Sequence, residues 1–482
     1  MNIGMVRYVL GRILLVVALL MIPSLLVSLI YREGEALAVS FVICIAITAG
    51  TGLLLSFKRP VEDHFYAREG MVIAALAWVL LSLFGALPFL MSGVIPNPVD
   101  AFFETASGFT TTGSSIITNV EALPHSVLFW RSFTHLIGGM GVLVFALAVM
   151  PRVKGEDVHI MRAEVPGPIF GKVRATVQDT ARILYIIYLA MTAVLIVLLR
   201  FGGMNWFDSA LHAFGAAGTG GFGIKNNSVA YYDSSYLHNV LAIAMILFGV
   251  NFSLYYLILI GKFRTALKNE ELRWYAGIIL AAVVLISINV FPLYDDLAIL
   301  LRDVFFTVSS IVTTTGYSTA DFGKWPLFSH IILMLLMLSG AMAGSTAGGL
   351  KVSRVAVYIK TSFQAIRRAV SPNRAVPVTL EGRTLSNDQR TNFSYYLYAY
   401  ILCFVVLVLI VSFENTDFLT AFSSVAATFN NIGPGLEAVG PSTNFSSLNN
   451  FSTFSLAIGM LTGRLEIFPI LVLFSSRTWR RT

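Results

Sequence analysis

Cysteine is almost absent. The 482-residue chain has two, Cys44 and Cys403, each inside an apolar run, so neither a disulfide framework nor a thiolate metal site is available. Charge is scarce as well: 12% of the residues are Asp, Glu, Lys or Arg, while 56% are hydrophobic. That balance excludes an ordinary soluble protein and places the chain among those that cross a membrane many times. The signatures of catalysis are missing too, with no H-E-x-x-H, no G-x-S-x-G, no Walker loop and no carboxylate pair within an apolar run. A membrane-embedded enzyme therefore finds no support, and with no soluble domain there is no place for a nucleotide. Arg7 and Arg12 precede an apolar run that is too long for a signal peptide and has no small-x-small cleavage site, so residues 8–30 read as a retained span.

The charge that exists is uneven. The formal net charge is +7, yet Lys and Arg collect in alternate loops, 151–182, 261–273 and 358–394, and in a tail bearing Arg477, Arg480 and Arg481. The positive-inside rule accounts for this better than nucleic acid does. It places those loops and both termini in the cytoplasm.

Hydropathy divides the chain into a leading pair of spans, 8–30 and 36–56 within residues 1–57, followed by four units. Each unit is a long apolar span, a polar or small-residue insert, and a second long span. Unit one occupies 71–150 (71–92, insert 99–118, 127–150) and unit two 183–260 (183–201, insert 207–227, 236–260). Unit three occupies 274–370 (274–291, insert 302–319, 328–357), and unit four 395–475 (395–413, insert 417–435, 451–475). A basic tail, 476–482, follows. The expected fold is an all-α polytopic membrane protein with ten transmembrane helices, eight of them in four pseudo-fourfold helix–pore-loop–helix repeats around a central pore.

The inserts share a pattern. Asp100 leads to Thr110-Thr111-Thr112-Gly113, Asp208 to Thr219-Gly220-Gly221, Asp303 to Thr313-Thr314-Thr315-Gly316, and Thr420 to Asn430-Asn431-Ile432-Gly433. In each, the glycine lies thirteen residues beyond the leading Asp or Thr. Those leading residues are expected as N-caps of short helices. Some eight helical residues would span roughly 12–15 Å, about half of a ~30 Å hydrocarbon core. Irregular backbone at that depth is tolerated only where protein shields it or it lines an aqueous path. One such insert alone would read as a re-entrant turn whose glycine serves a positive φ. Four at one fixed interval point to a pore lined by backbone carbonyls, which is the chemistry of a cation filter. Entering from outside, the helices would aim their partially negative C-terminal ends at the centre, where a cation would rest.

Together with His135-Leu-Ile-Gly-Gly-Met-Gly141, Gly344-Ser-Thr-Ala-Gly-Gly-Leu-Lys351 and Gly463-Arg-Leu-Glu-Ile-Phe468, these inserts resemble the Trk/Ktr/HKT superfamily of potassium transporters, and more closely its bacterial TrkH branch. The resemblance covers nearly the whole chain. It implies K⁺ as the transported ion, with Na⁺ and Rb⁺ as related ions, coordinated by carbonyls of Thr110 to Gly113, Thr219 to Gly221, Thr313 to Gly316 and Asn430 to Gly433. It also implies a homodimer in the bacterial inner membrane and a cytosolic TrkA-type regulatory subunit that carries the nucleotide (ATP, ADP or NAD). Loops 151–182 and 358–394 are its expected docking surface. Whether Gly220 or Gly221 holds the key position of the second strand stays open, as does symport coupled to H⁺ or Na⁺.

Residues 340–350, with Gly340, Gly344, Ser345, Thr346, Gly348 and Gly349, break the second span of unit three. They read either as a small-residue helix contact or, as the resemblance implies, as an intramembrane gate loop. Lys351 ends that loop as a gate residue and interfacial anchor. Arg464 and Glu466 lie within an apolar span, where a charge costs at least ~2.5 kcal/mol. They take either an ion pair to another helix or, by resemblance, a role for Arg464 in the conduction path below the filter. Arg131, His135 and His212 are expected in hydrogen-bonding or snorkelling roles, and Asn251 in an interhelical hydrogen bond. Tyr395, Tyr396, Tyr398 and Tyr400 are expected as an interfacial aromatic belt.

Overall fold

The computed structural model describes residues 1–60, 66–141, 177–371, 377–414 and 417–479. Most of loop 151–182, the end of span 127–150, and Arg480 and Arg481 of the tail lie outside the described residues.

The described residues fold as helices with one two-stranded hairpin. Helices α1 (Ile3–Ile30) and α2 (Glu35–Ser56) are an antiparallel pair whose crossing depends on two glycines. A Cβ on Gly11 would stand 2.7 Å from the Gly52 carbonyl oxygen, and one on Gly52 would stand 2.9 Å from that of Gly11. Small residues let the two backbones touch, the usual means of association where apolar burial against lipid gains little.

Helices α3 (Ala67–Gly85), α4 (Leu87–Met91), α5 (Pro98–Phe109) and α6 (His125–Gly139) follow, then α7 (Val177–Phe201), α8 (Trp206–Gly218), α9 (Ser235–Phe248), α10 (Phe252–Leu259) and α11 (Phe263–Leu267). The third stretch holds α12 (Glu270–Val290), α13 (Leu297–Val312), α14 (Leu327–Ser339) and α15 (Val352–Val370). Hairpin β1 (Thr379–Leu380) and β2 (Arg383–Thr384) leads into α16 (Asn387–Ser412), α17 (Phe418–Phe429), α18 (Asn450–Arg464) and α19 (Phe468–Leu473). A long apolar helix, a short helix and a broken helix thus recur in order.

The short helices α5, α8, α13 and α17 form the centre. Every residue of α5 from Ala101 to Phe109 is buried, as is every residue of α17 from Ser423 to Phe429. A helix enclosed on all sides needs no polar face. The long helices lie outside: only 22% of the apolar window is buried in α12 and in α16, against 61% in α3 with α4.

Ten continuous spans are expected from hydropathy. The described residues contain six helices long and apolar enough to cross a membrane, or seven if the bent pair α9 and α10 is one span. Part of the difference lies in the second helix of units two, three and four, which is interrupted; in unit one most of the end of that span lies outside the described residues. Helix α6 ends at Gly139, α9 and α10 meet at 91°, α14 stops at Gly340, and α18 ends at Leu465 before Ile467, whose φ is +71°. Glycines at these breaks abut neighbouring backbone: a Cβ on Gly138 would lie 1.9 Å from the Phe109 carbonyl oxygen, and one on Gly463 would lie 1.8 Å from that of Phe429. Close approach to the short central helices selects glycine there. A hydropathy window does not register it.

Candidate ion-coordination site

The four short helices end in one geometry. The amides of Thr112, Gly220, Thr315 and Ile432 each donate to a carbonyl five residues back, on Ser107, Gly215, Ser310 and Ala427, all at 2.8 Å. The preceding amides, of Thr111, Thr219, Thr314 and Asn431, donate three residues back. These are the paired bonds of a Schellman cap, which needs one left-handed residue, usually glycine. Here that residue is Thr111 (φ +55°), Thr219 (+55°), Thr314 (+57°) or Asn431 (+57°). A β-branched residue in this region is an outlier, costing about 1–2 kcal/mol each. Three strained copies of one turn, and a fourth with Asn431 where asparagine tolerates the conformation, mark a feature the surrounding structure holds in place.

The helix starts differ from expectation. The N-caps are Asn97, Asn205, Asp296 and Asp417, whose side chains accept from amides of the first turn. Asp100, Asp208 and Thr420 are third residues of their helices, and Asp303 lies inside α13, bonded to Arg302 at 3.0 Å. Asx residues one turn earlier, or two turns earlier in α13, win because Asn and Asp at the cap reach the free amides, helped in α5 by Pro98 at the first helical position.

Beyond each turn comes a glycine of positive φ: Gly113 (+83°), Gly221 (+68°), Gly316 (+85°) and Gly433 (+110°). These four close a ring. A Cβ on Gly113 would stand 1.9 Å from the carbonyl oxygen of Gly220, and one on Gly221 would stand 1.9 Å from that of Thr315. One on Gly316 would stand 2.2 Å from the Ile432 oxygen, and one on Gly433 would stand 2.9 Å from the Thr112 oxygen. Each glycine therefore faces the carbonyl of the next segment, and the fourth returns to the first. Gly221, not Gly220, is the equivalent of the other three glycines. The ring floors a cavity of about 240 Å³ lined by Gly113, Gly221, Gly316 and Gly433 together with Arg131 and Lys225.

The segments are tied unequally. Thr110 and Thr112 share a hydroxyl hydrogen bond of 2.7 Å, and Thr313 and Thr315 one of 2.8 Å. In the second segment His135 takes the place of the threonine side chains. A Cβ on Gly220 would lie 2.5 Å from its Nδ1, and the ring stacks on Phe222 at 4.2 Å. His135 is thus fully buried in packing rather than snorkelling. In the fourth segment Asn431 Nδ2 donates to Thr112 Oγ1 at 2.9 Å and to the Met460 carbonyl at 3.0 Å, and the Tyr400 hydroxyl donates to Asn430 Oδ1 at 2.7 Å. Tyr396 and Tyr400 are buried, Tyr400 against Asn430 and Tyr396 under the Arg354 guanidinium, while Tyr395 and Tyr398 are exposed as a belt requires.

Glu104, which the sequence did not single out, and Arg131, expected in a hydrogen-bonding or snorkelling role, brace the ring from behind. Glu104, fully buried, pairs with Arg131 Nε at 2.6 Å and accepts from Ser115 Oγ and the Ile116 amide at 3.0 Å each. Arg131 also donates to the Gly223 carbonyl at 2.7 Å and lies 3.6 Å from the Phe222 ring centre. The pair joins the first segment to the second. A carboxylate in the buried middle of α5, beyond its first turn, was the available signal. His212 Nδ1 sits 2.8 Å from the Asp208 carbonyl, a hydrogen bond within α8.

On the other side of the ring, residues 340–350 form an irregular loop rather than a helix contact. The Gly348 amide donates to Thr314 Oγ1 at 2.7 Å, and a Cβ on Gly348 would stand 2.2 Å from the Asn430 carbonyl oxygen. Gly340, Gly344 and Gly349 have positive φ, and Ser345 Oγ turns back to the Met342 carbonyl. The loop rests on the break between α9 and α10, where the Phe252 amide donates to the Gly344 carbonyl at 3.1 Å and Thr346 Oγ1 to that of Phe248 at 3.3 Å. Asn251 caps α10 through the Ser253 amide and thereby shapes this break, instead of bridging helices.

Arg464 reaches across the same space. It donates to the carbonyls of Thr346 at 2.7 Å, Gly138 at 2.6 Å and Gly139 at 2.8 Å, joining loop 340–350 to α6. Glu466 turns the other way, into a bidentate pair with Arg354 at 2.6 and 3.1 Å. Lys351 is not at an interface: it is 2% exposed, and its ammonium donates to the carbonyls of Ala347 and Gly348.

A family model described as "Cation transport protein", TrkH, matches residues 34–480. The chain belongs to the TrkH family. It is 35% identical to the Trk system potassium uptake protein TrkH of Salmonella typhimurium, over 100% of both chains. To the Trk system potassium uptake protein TrkG of Escherichia coli it is 31% identical, over 99% of each. The crystal structure of the potassium transporter TrkH from Vibrio parahaemolyticus superposes with a TM-score of 0.89 at 30% identity, covering both chains fully. Membership of this family accounts for the all-helical polytopic fold and places the ring and the loop beneath it in a transport protein.

Proposed function

We propose that the chain takes up K⁺ through the ring made by Thr110 to Gly113, Thr219 to Gly221, Thr313 to Gly316 and Asn430 to Gly433, in a ten-span protein with pseudo-fourfold repeats. The observation that carries this is the closed cycle in which each glycine faces a carbonyl of the next segment. Carbonyl dipoles there replace the hydration shell of a dehydrated cation. The relatives that match over full length are potassium uptake proteins by name, which supports K⁺ as the ion. The charge pattern supports the bacterial inner membrane with both termini cytoplasmic, so the cavity above the ring faces outward.

Loop 340–350 and Arg464 are the gate. The loop's amide on Thr314 and the guanidinium on three carbonyls obstruct the path directly below the ring, and a fixed positive charge there repels a cation. The structure represents the shut conformation in this reading. Opening requires the loop to leave Arg464, and a cytosolic nucleotide-binding subunit of the TrkA type acting on a homodimer is the partner that drives it.

Purified protein in vesicles under separate K⁺, Na⁺ and H⁺ gradients tests the function. A reversal potential that follows the K⁺ gradient alone supports a K⁺ conductor. One that shifts with the proton or Na⁺ gradient at fixed K⁺ supports the symport alternative, and no K⁺ dependence rejects both.

A further inference from the structure

Loop 340–350 is held at both ends by a residue outside it. Glu271, at the start of α12 and 3% exposed, accepts with one carboxyl oxygen, Oε1, from the Ala343 amide at 2.8 Å and from the Ser353 amide at 3.0 Å. Ala343 lies within the loop and Ser353 at the start of α15, so a single side chain fixes the entrance and the exit of the irregular segment.

Glu271 is itself positioned from the basic end of the molecule. The hairpin β1–β2 presents Glu381, whose Oε1 accepts from Asn269 Nδ2 at 2.9 Å and from the amides of Glu270 and Glu271 at 3.0 Å each. Glu270 Oε2 returns a bond from the Glu381 amide at 3.0 Å. Lys360, on the helix that follows the loop, pairs with Glu270 and donates to the Thr379 carbonyl at 2.8 Å. The hairpin tip, with Gly382 and Arg383, is exposed. A continuous run of hydrogen bonds therefore leads from an exposed hairpin, through the first turn of α12, to both ends of the loop.

We propose that Glu271 is a positioning residue that latches the gate loop shut, and that the hairpin Thr379–Thr384 is the handle that sets the latch. This rests on the reading of 340–350 as the gate. Its chemical content is separate: the latch is a hydrogen-bond acceptor, and its effect on the loop depends on an oxygen at one position, with no requirement for charge. Displacing Glu381 from the α12 terminus frees the Glu271 amide and lets the carboxyl withdraw from the loop. A cytosolic protein gripping the hairpin would act on the gate from a distance by this route.

The test uses the full chain with Cys44→Ala and Cys403→Ala, reconstituted without any partner. It reads Rb⁺ influx and the reaction of Ser345→Cys with a water-soluble methanethiosulfonate. Glu271→Ala raises basal Rb⁺ influx on the order of tenfold, a shift of about 1.4 kcal/mol in the gate equilibrium, and speeds modification of Cys at 345, while Rb⁺ over Na⁺ discrimination is retained. Glu271→Gln keeps an acceptor oxygen and restores most of the restraint. Glu381→Ala moves both readouts in the same direction by a smaller factor, and needs no change in the loop or its buried surroundings. Arg464→Ala is the control for the gate itself. If it opens the protein but Glu271→Ala and Glu381→Ala leave influx and modification at the starting rates, the latch is overturned and the gate stands. If none of the three changes either readout, the gate reading falls with it. A Gln variant as leaky as the Ala variant also overturns the acceptor role.

Discussion

Alanine in place of each ring glycine gives a graded test, because the four sites differ in what the added methyl meets. At Gly113 and Gly221 the Cβ would lie 1.9 Å from a backbone carbonyl oxygen, at Gly316 2.2 Å, and at Gly433 2.9 Å. Carbon and carbonyl oxygen rest at about 3.3 Å or more, so the first two substitutions must displace a carbonyl by roughly 1.4 Å, the third by roughly 1.1 Å and the fourth by roughly 0.4 Å. Positive φ at all four positions adds strain of about 1–3 kcal/mol. The obstructing atom is main chain and cannot swing aside as a side chain could. K⁺ over Na⁺ discrimination, from reversal potentials in vesicles, is expected to fall by at least about tenfold, some 1.4 kcal/mol, for Gly113→Ala and Gly221→Ala. The loss is smaller at Gly316 and smallest at Gly433. Unchanged discrimination at Gly113 and Gly221, with protein correctly inserted, would refute the claim that these carbonyls contact the ion, and an inverted order would refute the ring contacts.

Arg464→Ala removes hydrogen bonds to three carbonyls and is expected to raise partner-free Rb⁺ flux at least about tenfold, each charge-assisted bond contributing about 1.5–3 kcal/mol; tracer uptake into vesicles measures it. Gly220→Thr collides with the His135 ring and is expected to abolish K⁺ flux, whereas Gly220→Thr combined with His135→Ala recovers part of it, as the same uptake assay reads. Arg131→Met strands the buried Glu104 carboxyl and is expected to cost about 3–5 kcal/mol, seen as a lowered thermal midpoint in detergent, while Glu104→Leu with Arg131→Met loses less. Asn431→Ala removes the bonds to Thr112 and Met460, leaves their groups without those partners at about 1–3 kcal/mol, and is expected to weaken K⁺ selectivity several-fold in reversal-potential measurements.

Much of this was legible in the sequence because it rests on periodic signals. Long apolar runs, basic loops and four glycines at one interval each leave a local trace, and the glycine positions are those whose backbone faces a neighbour's carbonyl. The caps were misplaced because the interval is counted from Asp100, Asp208, Asp303 and Thr420, while the first free amides are met by Asn97, Asn205, Asp296 and Asp417. The breaks at α9–α10 and α18–α19 were not legible, since apolar sequence resumes beyond Asn251 and beyond Arg464 and Glu466, so each run keeps the length of a span. The sequence left open whether Gly220 or Gly221 holds the key position, and gave no reason for a glycine at 220. Its reason is His135, some eighty positions earlier, occupying the space. Glu104 and Glu271 gave no periodic signal at all: each shares its helix with a second acidic residue, Asp100 or Glu270, and only the folded chain shows which amides it accepts from.

The most direct test of the central claim is to locate the ion. Crystals or single particles prepared in Tl⁺ or Rb⁺ should show a heavy-atom peak on the ring axis, between the carbonyls of Thr112, Gly220, Thr315 and Ile432, and that peak should be lost in Gly221→Ala. A peak seated elsewhere, with the ring axis empty in the unsubstituted protein, would contradict the account.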